Sequence, residues 1–545
     1  MSGRFARNRL ARVSALLFLT SWHGASAPAA MQPEWVEKWS EDLDFAAEQL
    51  EERHPDAFHS LSRQDLRQEI LQLTERLPEL EHYEVAVELA RIVARVGDGH
   101  SRVTLPLAPG VDFMQGHSET PEPALSELLF HQYPIRLAID ADGVWIYQAQ
   151  ESLEVLVGGR LLAIDGRPIE EVIEAVQPTV RRDNVMQVLH HLPMHLVLPE
   201  VLHARGVVQS VDTATFTIQT LQGKRSSVEI SPVPKGHQVA WVGLYEATRS
   251  PEPLYQSRSE ENFWFRYLEA EQVIYLQFNT VYDKPEETIR QFSERLLEFL
   301  AGHPVNALVI DLRHNRGGNQ SLAQPLLHAV LRSELDKAGS LFTIIGRTTF
   351  SAAMNFSLEM EKHTQTLFVG EPTGSKPNHY GDSRKVQLPN SNLTLRISSL
   401  YWQWSPRDDR PWIAPHIEVP PSRQAALQGT DPALETILEI VVPSDHANKV
   451  AGSWEGNLPP ASYGRDSVLQ IERKGSSLQA AVTIPAVGLE SGEVQNLRWE
   501  PPGITFEIPV GEETIAFKGR VVGRWMVGEG ELGSVRYPFL LIATP

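Results

Sequence analysis

The sequence predicts an α/β protein of several domains, with a helical front end, an α/β core and two β-rich modules. The 545 residues are enough for three or four domains of ordinary size. Between residues 273 and 442, short apolar runs bounded by turn residues alternate with helical stretches, a pattern typical of a mixed or parallel sheet covered by helices. A helical periodicity precedes this region, and short strands with Gly and Pro turns follow it.

The composition excludes several classes of function. A hydrophobic fraction of 42% is too high for a disordered chain. The 49 Lys and Arg against 69 Asp and Glu give a net charge of −20, which argues against binding of a nucleic-acid backbone. The absence of cysteine excludes disulfides, a cysteine nucleophile, thiolate metal sites and lipid attachment at cysteine.

Residues 1–30 have the pattern of a secretory signal peptide. Four arginines precede an apolar run over 13–22, and small residues with an Ala-x-Ala pattern fill 25–30. About ten apolar residues are too few to span a bilayer, which needs about 20. We therefore expect an exported protein without a membrane span, either periplasmic or extracellular. A disordered tail or a buried helix is the alternative.

The region 33–115 is predicted to be helical and to end in a histidine loop. Ser62 and Asp65 form an N-terminal capping pair, and apolar residues then recur at helical spacing from 66 to 77. A second amphipathic stretch runs from 85 to 96 and stops at Gly97, as a helix stops at a C-terminal glycine. The chain therefore leaves a helix directly into the loop Gly97-Asp-Gly-His-Ser101.

Two further regions read as β-rich modules on either side of the core. Region 130–235 begins with a hairpin around the turn Asp142-Gly143 and includes another hairpin over 215–230. Region 448–545 reads as a small all-β domain, in which we expect Trp454 to lie in the core. The core itself spans 255–442, with strands predicted near 273–278, 307–312, 341–345 and 367–370.

Glycines follow one buried strand of the core, in the segment Asp311-Leu-Arg-His-Asn-Arg-Gly-Gly318. Paired glycines let backbone N–H groups point into a cleft with no Cβ in the way, so Gly317 and Gly318 are candidates to bind an anion or an oxyanion. A structural tight turn is the alternative.

A serine lies at the next junction between a strand and a helix, in Gly346-Arg-Thr-Thr-Phe-Ser-Ala-Ala353. A hydroxyl at the start of a helix is close to free backbone amides, which favour a developing oxyanion. Ser351 is therefore a candidate nucleophile, although serine is also an ordinary helix cap.

His100 is the candidate general base, because histidine titrates near neutral pH and this one lies in a glycine loop. The chain contains 19 histidines, so most of them are ordinary. His363 and His379 lie in no comparable setting.

Taken together, these segments resemble the tail-specific serine peptidases, the C-terminal processing and tricorn-type family. Gly97-Asp-Gly-His-Ser101, the glycine turn at 311–318 and Thr349-Phe-Ser-Ala-Ala353 occur in that family's order. Segments 369–374, 377–382, 412–419 and 429–432 match the loop after the nucleophile and the closing stretch. The resemblance covers about residues 35–440 and leaves the C-terminal domain outside.

The resemblance implies a crotonase/ClpP-like core that hydrolyses peptide bonds with a serine nucleophile. It assigns the nucleophile to Ser351, one oxyanion donor to the N–H of Ala352 and the other to the Gly317-Gly318 turn. It assigns the base to His100, and the acid that orients this base to Asp409 or its neighbour Asp408. No metal or organic cofactor is implied.

Two positions depart from this pattern. Position 416 is His where the family usually has Asp, which affects the loop that carries Asp409. Lys376 matches a lysine base in the processing branch, so it is the alternative base, since a desolvated lysine can accept a proton. We favour His100, because that branch generally lacks a Gly-Asp-Gly-His loop.

The resemblance also implies roles for the flanking modules. Region 130–235 looks like a degenerate PDZ domain, which in this family captures the ends of extended polypeptides by strand addition. The C-terminal domain looks like a small calycin-type barrel. The alternatives are a binding or carrier protein on the same fold, without catalysis, and an acyl-CoA enzyme of the crotonase type, which fits poorly with export.

Overall fold

The structure is a computed structural model, and it describes residues 31–109, 123–442, 450–459, 466–475 and 477–544. The predicted signal peptide, residues 1–30, lies outside the described residues. Within the described ranges, no helix has both the length and the apolar character needed to cross a membrane.

Three helices form the front end: α1 (Pro33–Arg53), α2 (Arg63–Arg76) and α3 (His82–Ala94). The Oγ atom of Ser62 accepts a hydrogen bond of 3.0 Å from the N–H of Asp65, which confirms the predicted cap of α2. The apolar face of α2 is buried, because Leu66, Ile70 and Leu73 pack into a core shared with the following module. After α3 the chain passes through the histidine loop into the short strand β1 (Arg102–Thr104).

The next module is built on one twisted sheet with helices against it. Its elements are β2 (Ile135–Asp140), β3 (Gly143–Gln150), β4 (Arg160–Ile164), β5 (Arg167–Pro168), α4 (Ile169–Val176), α5 (Val185–His195), α6 (Pro199–Ala204), β6 (Ala214–Gln219), β7 (Arg225–Ile230), β8 (Trp241–Gly243) and α7 (Leu244–Thr248). The strands have the order β2-β3-β4-β6-β7, with β5 paired to β4 and β8 paired to β3. The sheet thus extends beyond residue 235.

The core contains a six-stranded sheet of order β18-β13-β12-β11-β10-β9. Its elements and those packed around it are β9 (Phe263–Leu268), β10 (Val273–Phe278), α8 (Ile289–Gly302), β11 (Ala307–Asp311), α9 (Gln324–Arg332), β12 (Leu341–Ile345), α10 (Ala352–His363), β13 (Leu367–Gly370), β14 (Asn378–Gly381), β15 (Arg384–Gln387), β16 (Thr394–Ile397), β17 (Leu400–Gln403), β18 (Ile417–Glu418), α11 (Arg423–Gln428) and α12 (Pro432–Val441). Strands β10 to β13 and β18 are parallel, whereas β9 is antiparallel at the edge. The α/β prediction is therefore confirmed.

Both faces of the six-stranded sheet are covered, which explains why its strands are continuous apolar runs. Helices α8, α9 and α10 pack on one face. Helix α12 and three apolar side chains of the C-terminal domain, Trp525, Val527 and Leu540, pack on the other. The carboxyl ends of β11 and β12 lie side by side, so the segments after them meet at one edge.

The C-terminal domain is a nearly closed barrel of nine antiparallel strands. These are β19 (Gly452–Asn457), β20 (Ser467–Lys474), β21 (Ser477–Ile484), β22 (Leu489–Glu493), β23 (Gln495–Glu500), β24 (Gly503–Val510), β25 (Glu513–Val522), β26 (Trp525–Leu532) and β27 (Val535–Thr544). Their order is β22-β21-β20-β19-β27-β26-β25-β24-β23. Trp454 is buried inside the barrel and donates a hydrogen bond of 2.9 Å to the Val450 carbonyl, as a core residue is expected to do.

Candidate active site

The loop that carries His100 is fixed by the buried carboxylate of Asp98. Oδ1 of Asp98 accepts hydrogen bonds of 2.7 Å from the N–H groups of His100 and Ser101 and one of 2.8 Å from Ser398 Oγ. Oδ2 lies 3.0 Å from Nε2 of His54. Burial acts to raise the pKa of Asp98, but the hydrogen bonds from His54 and Ser101 outweigh it and hold the pKa well below its usual value. The ionised carboxylate therefore ties the loop to α1 and to the core.

The second module holds the same loop from the other side. The N–H of Gly99 donates a hydrogen bond of 2.7 Å to Asp183 Oδ1, and the carbonyl of Gly99 accepts from Gln187 and from Arg181. A Cβ atom at Gly99 would lie 2.5 Å from Gln187 and 2.8 Å from Phe350, so only glycine fits between them. The sequence analysis missed these partners, because nothing local to 181–187 marks them as neighbours of the loop.

Ser351 lies in the turn between β12 and α10. Its φ of 55° is rare for a residue with a side chain, and strain of this kind clusters at functional sites. The turn directs Oγ of Ser351 to within 3.1 Å of Nε2 of His100, a residue 251 positions earlier in the chain. The structure thus brings together the two residues that the sequence analysis selected as nucleophile and base.

The imidazole of His100 is kept neutral by its surroundings. Its ring stacks on Phe350, with ring centres 4.4 Å apart. Burial is the largest cause that lowers the pKa of His100 well below 6.5, and the charges of Arg181 and Arg102 act in the same direction, while Asp98 opposes them. At neutral pH, Nε2 therefore has a lone pair available for the proton of Ser351.

Two backbone N–H groups, those of Ala352 and Gly318, have no acceptor among the described residues. Ala352 is the first residue of α10, so its N–H has no acceptor within the helix. Gly317 packs so closely that a Cβ there would lie 2.8 Å from both the nitrogen of Ala352 and Cβ of Ser351. Its own N–H donates to Asn315 Oδ1 at 2.9 Å, which leaves Gly318 as the donor from this turn.

The structure does not bring the expected acid to His100. Asp408 forms an ion pair of 2.7 Å with Arg410, which also pairs with Glu361, and the side chain of Asp409 is exposed. Nδ1 of His100 is buried and has no hydrogen-bond partner in the described part of the chain. The expectation that Asp409 or Asp408 orients His100 therefore lacks the contact that it needs, because Arg410 holds this loop elsewhere.

Lys376, the alternative base, lies in the loop after β13. Its carbonyl accepts a hydrogen bond of 3.1 Å from Nδ1 of His379. Over the described ranges, Ser351 Oγ is hydrogen-bonded to His100 and not to the Lys376 ammonium. The geometry thus favours His100 over Lys376 as the base.

A cleft of 670 Å³ is lined by sequence neighbours of the site, but not by Ser351 or His100 themselves. Its wall includes His314 and Arg316 of the glycine turn, Thr348 of the segment before Ser351, and Tyr147 of β3. The cleft thus runs between the core and the second module, and its size is in the range of ordinary ligand sites.

No family model and no curated protein sequence matches the chain. Its fold is similar to that of mature CPAF complexed with lactacystin, with a TM-score of 0.53, 15% identity, and coverage of 74% of this chain and 98% of that one. A serine-to-alanine mutant of CPAF gives a TM-score of 0.52 at 15% identity, with coverage of 74% and 97%. The photosystem II D1 C-terminal processing protease gives a TM-score of only 0.34 at 13% identity, with coverage of 72% and 98%. The CPAF structures show a shared fold for most of the chain.

Proposed function

We propose that the protein is a serine peptidase in which Ser351 is the nucleophile and His100 is the general base. The observation that carries this proposal is the 3.1 Å separation of Ser351 Oγ and His100 Nε2. The fold shared with CPAF supports it, since one of the CPAF structures carries an alanine in place of a serine and another holds lactacystin.

The proposed reaction is acyl transfer to water. Nε2 of His100 takes the proton of Ser351 while Oγ attacks the peptide carbonyl carbon. The imidazolium then gives this proton to the leaving amine as the C–N bond breaks, which leaves an acyl ester on Ser351. A water molecule, deprotonated by His100, cleaves the ester and restores both side chains.

The N–H groups of Ala352 and Gly318 supply the oxyanion site in this proposal. Negative charge develops on the carbonyl oxygen during attack, and fixed backbone dipoles stabilise it without reorganisation. The close packing of Gly317 on Ser351 and Ala352 supports this arrangement, because it brings the turn to the nucleophile.

Polypeptides are the proposed substrates, and part of the bound chain is proposed to lie in the cleft that Arg316 and Thr348 line. Capture of a chain end by strand addition to the second module remains part of the proposal. Export is proposed on the pattern of residues 1–30 alone.

A carrier on the same fold is the second candidate. It is favoured by one observation, the buried Nδ1 of His100 that lacks a hydrogen-bond partner among the described residues. A peptidase usually orients this nitrogen with an acceptor, whereas a carrier needs none.

Two assays of the pure protein test the proposal. One is labelling by a fluorophosphonate probe, and the other is hydrolysis of a pool of denatured peptides. The wild-type protein is expected to be labelled at Ser351 and to hydrolyse the peptides, and Ser351→Ala is expected to lose both activities while it stays folded. Ser333→Ala is the control, since Ser333 only caps the end of α9. Intact peptides and an unlabelled wild-type protein would favour the carrier.

A further inference from the structure

Nδ1 of His100 requires an acceptor if His100 is the base. When Nε2 accepts the proton of Ser351, the neutral ring carries its own proton on Nδ1. This nitrogen is buried, and an N–H left there without an acceptor destabilises the folded protein. The acceptor that orients the ring is therefore a missing part of the site.

The carboxylates around the histidine loop are already occupied. Asp98 uses Oδ1 for the loop and Oδ2 for His54. Asp183 accepts from Gly99 through Oδ1 and from Ser375 Oγ, at 2.6 Å, through Oδ2. Neither of them has a hydrogen bond to the ring of His100 among the described residues.

His379 has a buried ring nitrogen that lacks a donor, whereas His100 has one that lacks an acceptor. It lies on β14 and its side chain is only 2% exposed. Because Nδ1 of His379 donates its proton to the carbonyl of Lys376, at 3.1 Å, Nε2 is left as an acceptor with a lone pair. This Nε2 is also buried without a partner in the described chain.

The two rings are neighbours with nearly parallel planes. The ring centres of His100 and His379 are 5.9 Å apart, and the ring planes differ by 10°. One ring thus presents a buried donor without an acceptor, and the other presents a buried acceptor without a donor. The two nitrogens are not hydrogen-bonded to each other in the described residues. Catalytic hydrogen bonds are often long before substrate binds and shorten in the complex, so the inference places this bond, direct or through one water, in the substrate complex.

We propose that His379 is the positioning residue of the site and accepts the Nδ1–H of His100 through its own Nε2. The series then runs from Ser351 through His100 and His379 to the carbonyl of Lys376. His379 fixes the tautomer and the ring orientation of His100 and stabilises the imidazolium that forms when Ser351 attacks. This inference rests on the proposed function, since it assigns a partner to the proposed base.

Two variants of His379 separate this role from a role in packing. His379→Gln places an amide oxygen near the position of Nε2, so it keeps an acceptor for His100. His379→Asn has a shorter side chain, which reaches towards Lys376 but not towards His100. Both variants are polar and remove the same ring, so a purely structural role predicts similar losses of Tm and activity in the two.

The measurements are the rate of fluorophosphonate labelling of Ser351, kcat and KM for a peptide, and the proton NMR signal of the His100 Nδ1–H. We expect His379→Asn to lower kcat and the labelling rate by at least about tenfold with little change in KM, because general base catalysis contributes about 10²–10⁴. We expect His379→Gln to stay within about threefold of the wild type. The slowly exchanging Nδ1–H signal should persist in the Gln variant and vanish in the Asn variant.

Equal rates in the two variants, or an Nδ1–H signal that survives in His379→Asn, would overturn the role of His379. The NMR signal and its response to the variants do not depend on turnover. If the protein proved inactive on peptides while the signal still followed the acceptor, the proposed function would fail and the pairing of the two histidines would stand.

Discussion

Val103 of β1 lies opposite Leu395 of β16 in an antiparallel pairing. Both side chains are buried, with exposed fractions of 6% and 0%. This pairing inserts the strand that follows the histidine loop into a three-stranded sheet with β16 and β15. The front end of the chain is thus fixed to the core only two residues after Ser101, which is how His100 reaches Ser351.

We expect Val103→Asp to separate the histidine loop from the core. An unpaired carboxylate buried opposite Leu395 costs several kcal/mol, so β1 should leave β16. Labelling of Ser351 should fall by at least about tenfold, and Tm should drop. Val535→Asp is the matched control, because Val535 is 49% exposed and the same change should cost no more than about 0.5 kcal/mol. Unchanged labelling in Val103→Asp would show that the strand pairing does not position His100.

We expect the lack of a side chain at Gly317 to matter more for kcat than the positive φ of this residue. Gly317 has a φ of 98°, and an added Cβ would lie 2.8 Å from the nitrogen of Ala352. We expect Gly317→Ala to displace the oxyanion donors and to lower kcat by about 10²–10³, the usual effect of losing one donor.

Gly206→Ala is the control for this variant. Gly206 also has a positive φ, 65°, but a Cβ there would meet no atom within 4 Å. The control should therefore lose about 1–2 kcal/mol of stability from backbone strain and keep its labelling rate. Comparable losses of kcat in both alanine variants would argue that strain, and not the oxyanion site, limits the reaction.

The low pKa of His100 predicts activity in mildly acidic solution. Only the neutral ring accepts the proton of Ser351, and burial together with the charges of Arg181 and Arg102 holds the pKa of His100 well below 6.5. Since the base stays neutral until the pH falls below this lowered pKa, the acid limb of the labelling rate should lie below pH 6.5. The rate of fluorophosphonate labelling, measured from pH 8 downwards and corrected for hydrolysis of the probe, gives the position of the limb. A half-maximal rate at pH 6.5 or above would contradict the expected environment of His100.

The local pattern was sufficient to predict where the candidate residues lie. Ser351 follows a buried strand and precedes a helix, and Gly317 and Gly318 follow another buried strand, as the structure has them after β12 and β11. Their catalytic roles stay predictions. His100 stood out because two glycines flank it at the end of a predicted helix.

The residues that contact His100 and its loop could not be predicted from the sequence. Asp183 and Gln187 reach the histidine loop from α5, and His379 reaches His100 from β14, so these contacts depend on how separate modules pack. Sequence analysis gave His379 no special setting, since its burial and its unpaired nitrogen exist only in the folded chain. A local pattern marked Asp408 and Asp409 as the candidate acid, but Arg410 pairs with Asp408, and neither carboxylate is hydrogen-bonded to His100 among the described residues.

The charge of Arg316 should select substrates in the cleft. Arg313 and Arg347 also line the cleft, but each is paired with carboxylates of the chain. Arg316 makes no hydrogen bond or ion pair with any residue that the structure describes. Its positive charge is the second cause, next to burial of the His190 ring, that lowers the pKa of His190 well below 6.5. A positive charge without a partner among the described residues, in the wall of the cleft, favours substrates that carry carboxylates there.

We therefore expect Arg316→Gln to reduce kcat/KM for acidic peptides by about tenfold or more, since a charge-assisted hydrogen bond contributes about 1.5–3 kcal/mol. The effect is measured on pairs of peptides with Glu or Gln next to the cleaved bond. Each peptide is used with a free and with an amidated C-terminus, which distinguishes recognition of a side-chain carboxylate from recognition of the chain end. The Gln peptides should lose much less than the Glu peptides. Arg332→Gln, at the exposed end of α9, is the control and should leave both series unchanged. An equal loss for Glu and Gln peptides would mean that Arg316 supports the fold of the glycine turn, because selection by charge requires the two series to respond differently.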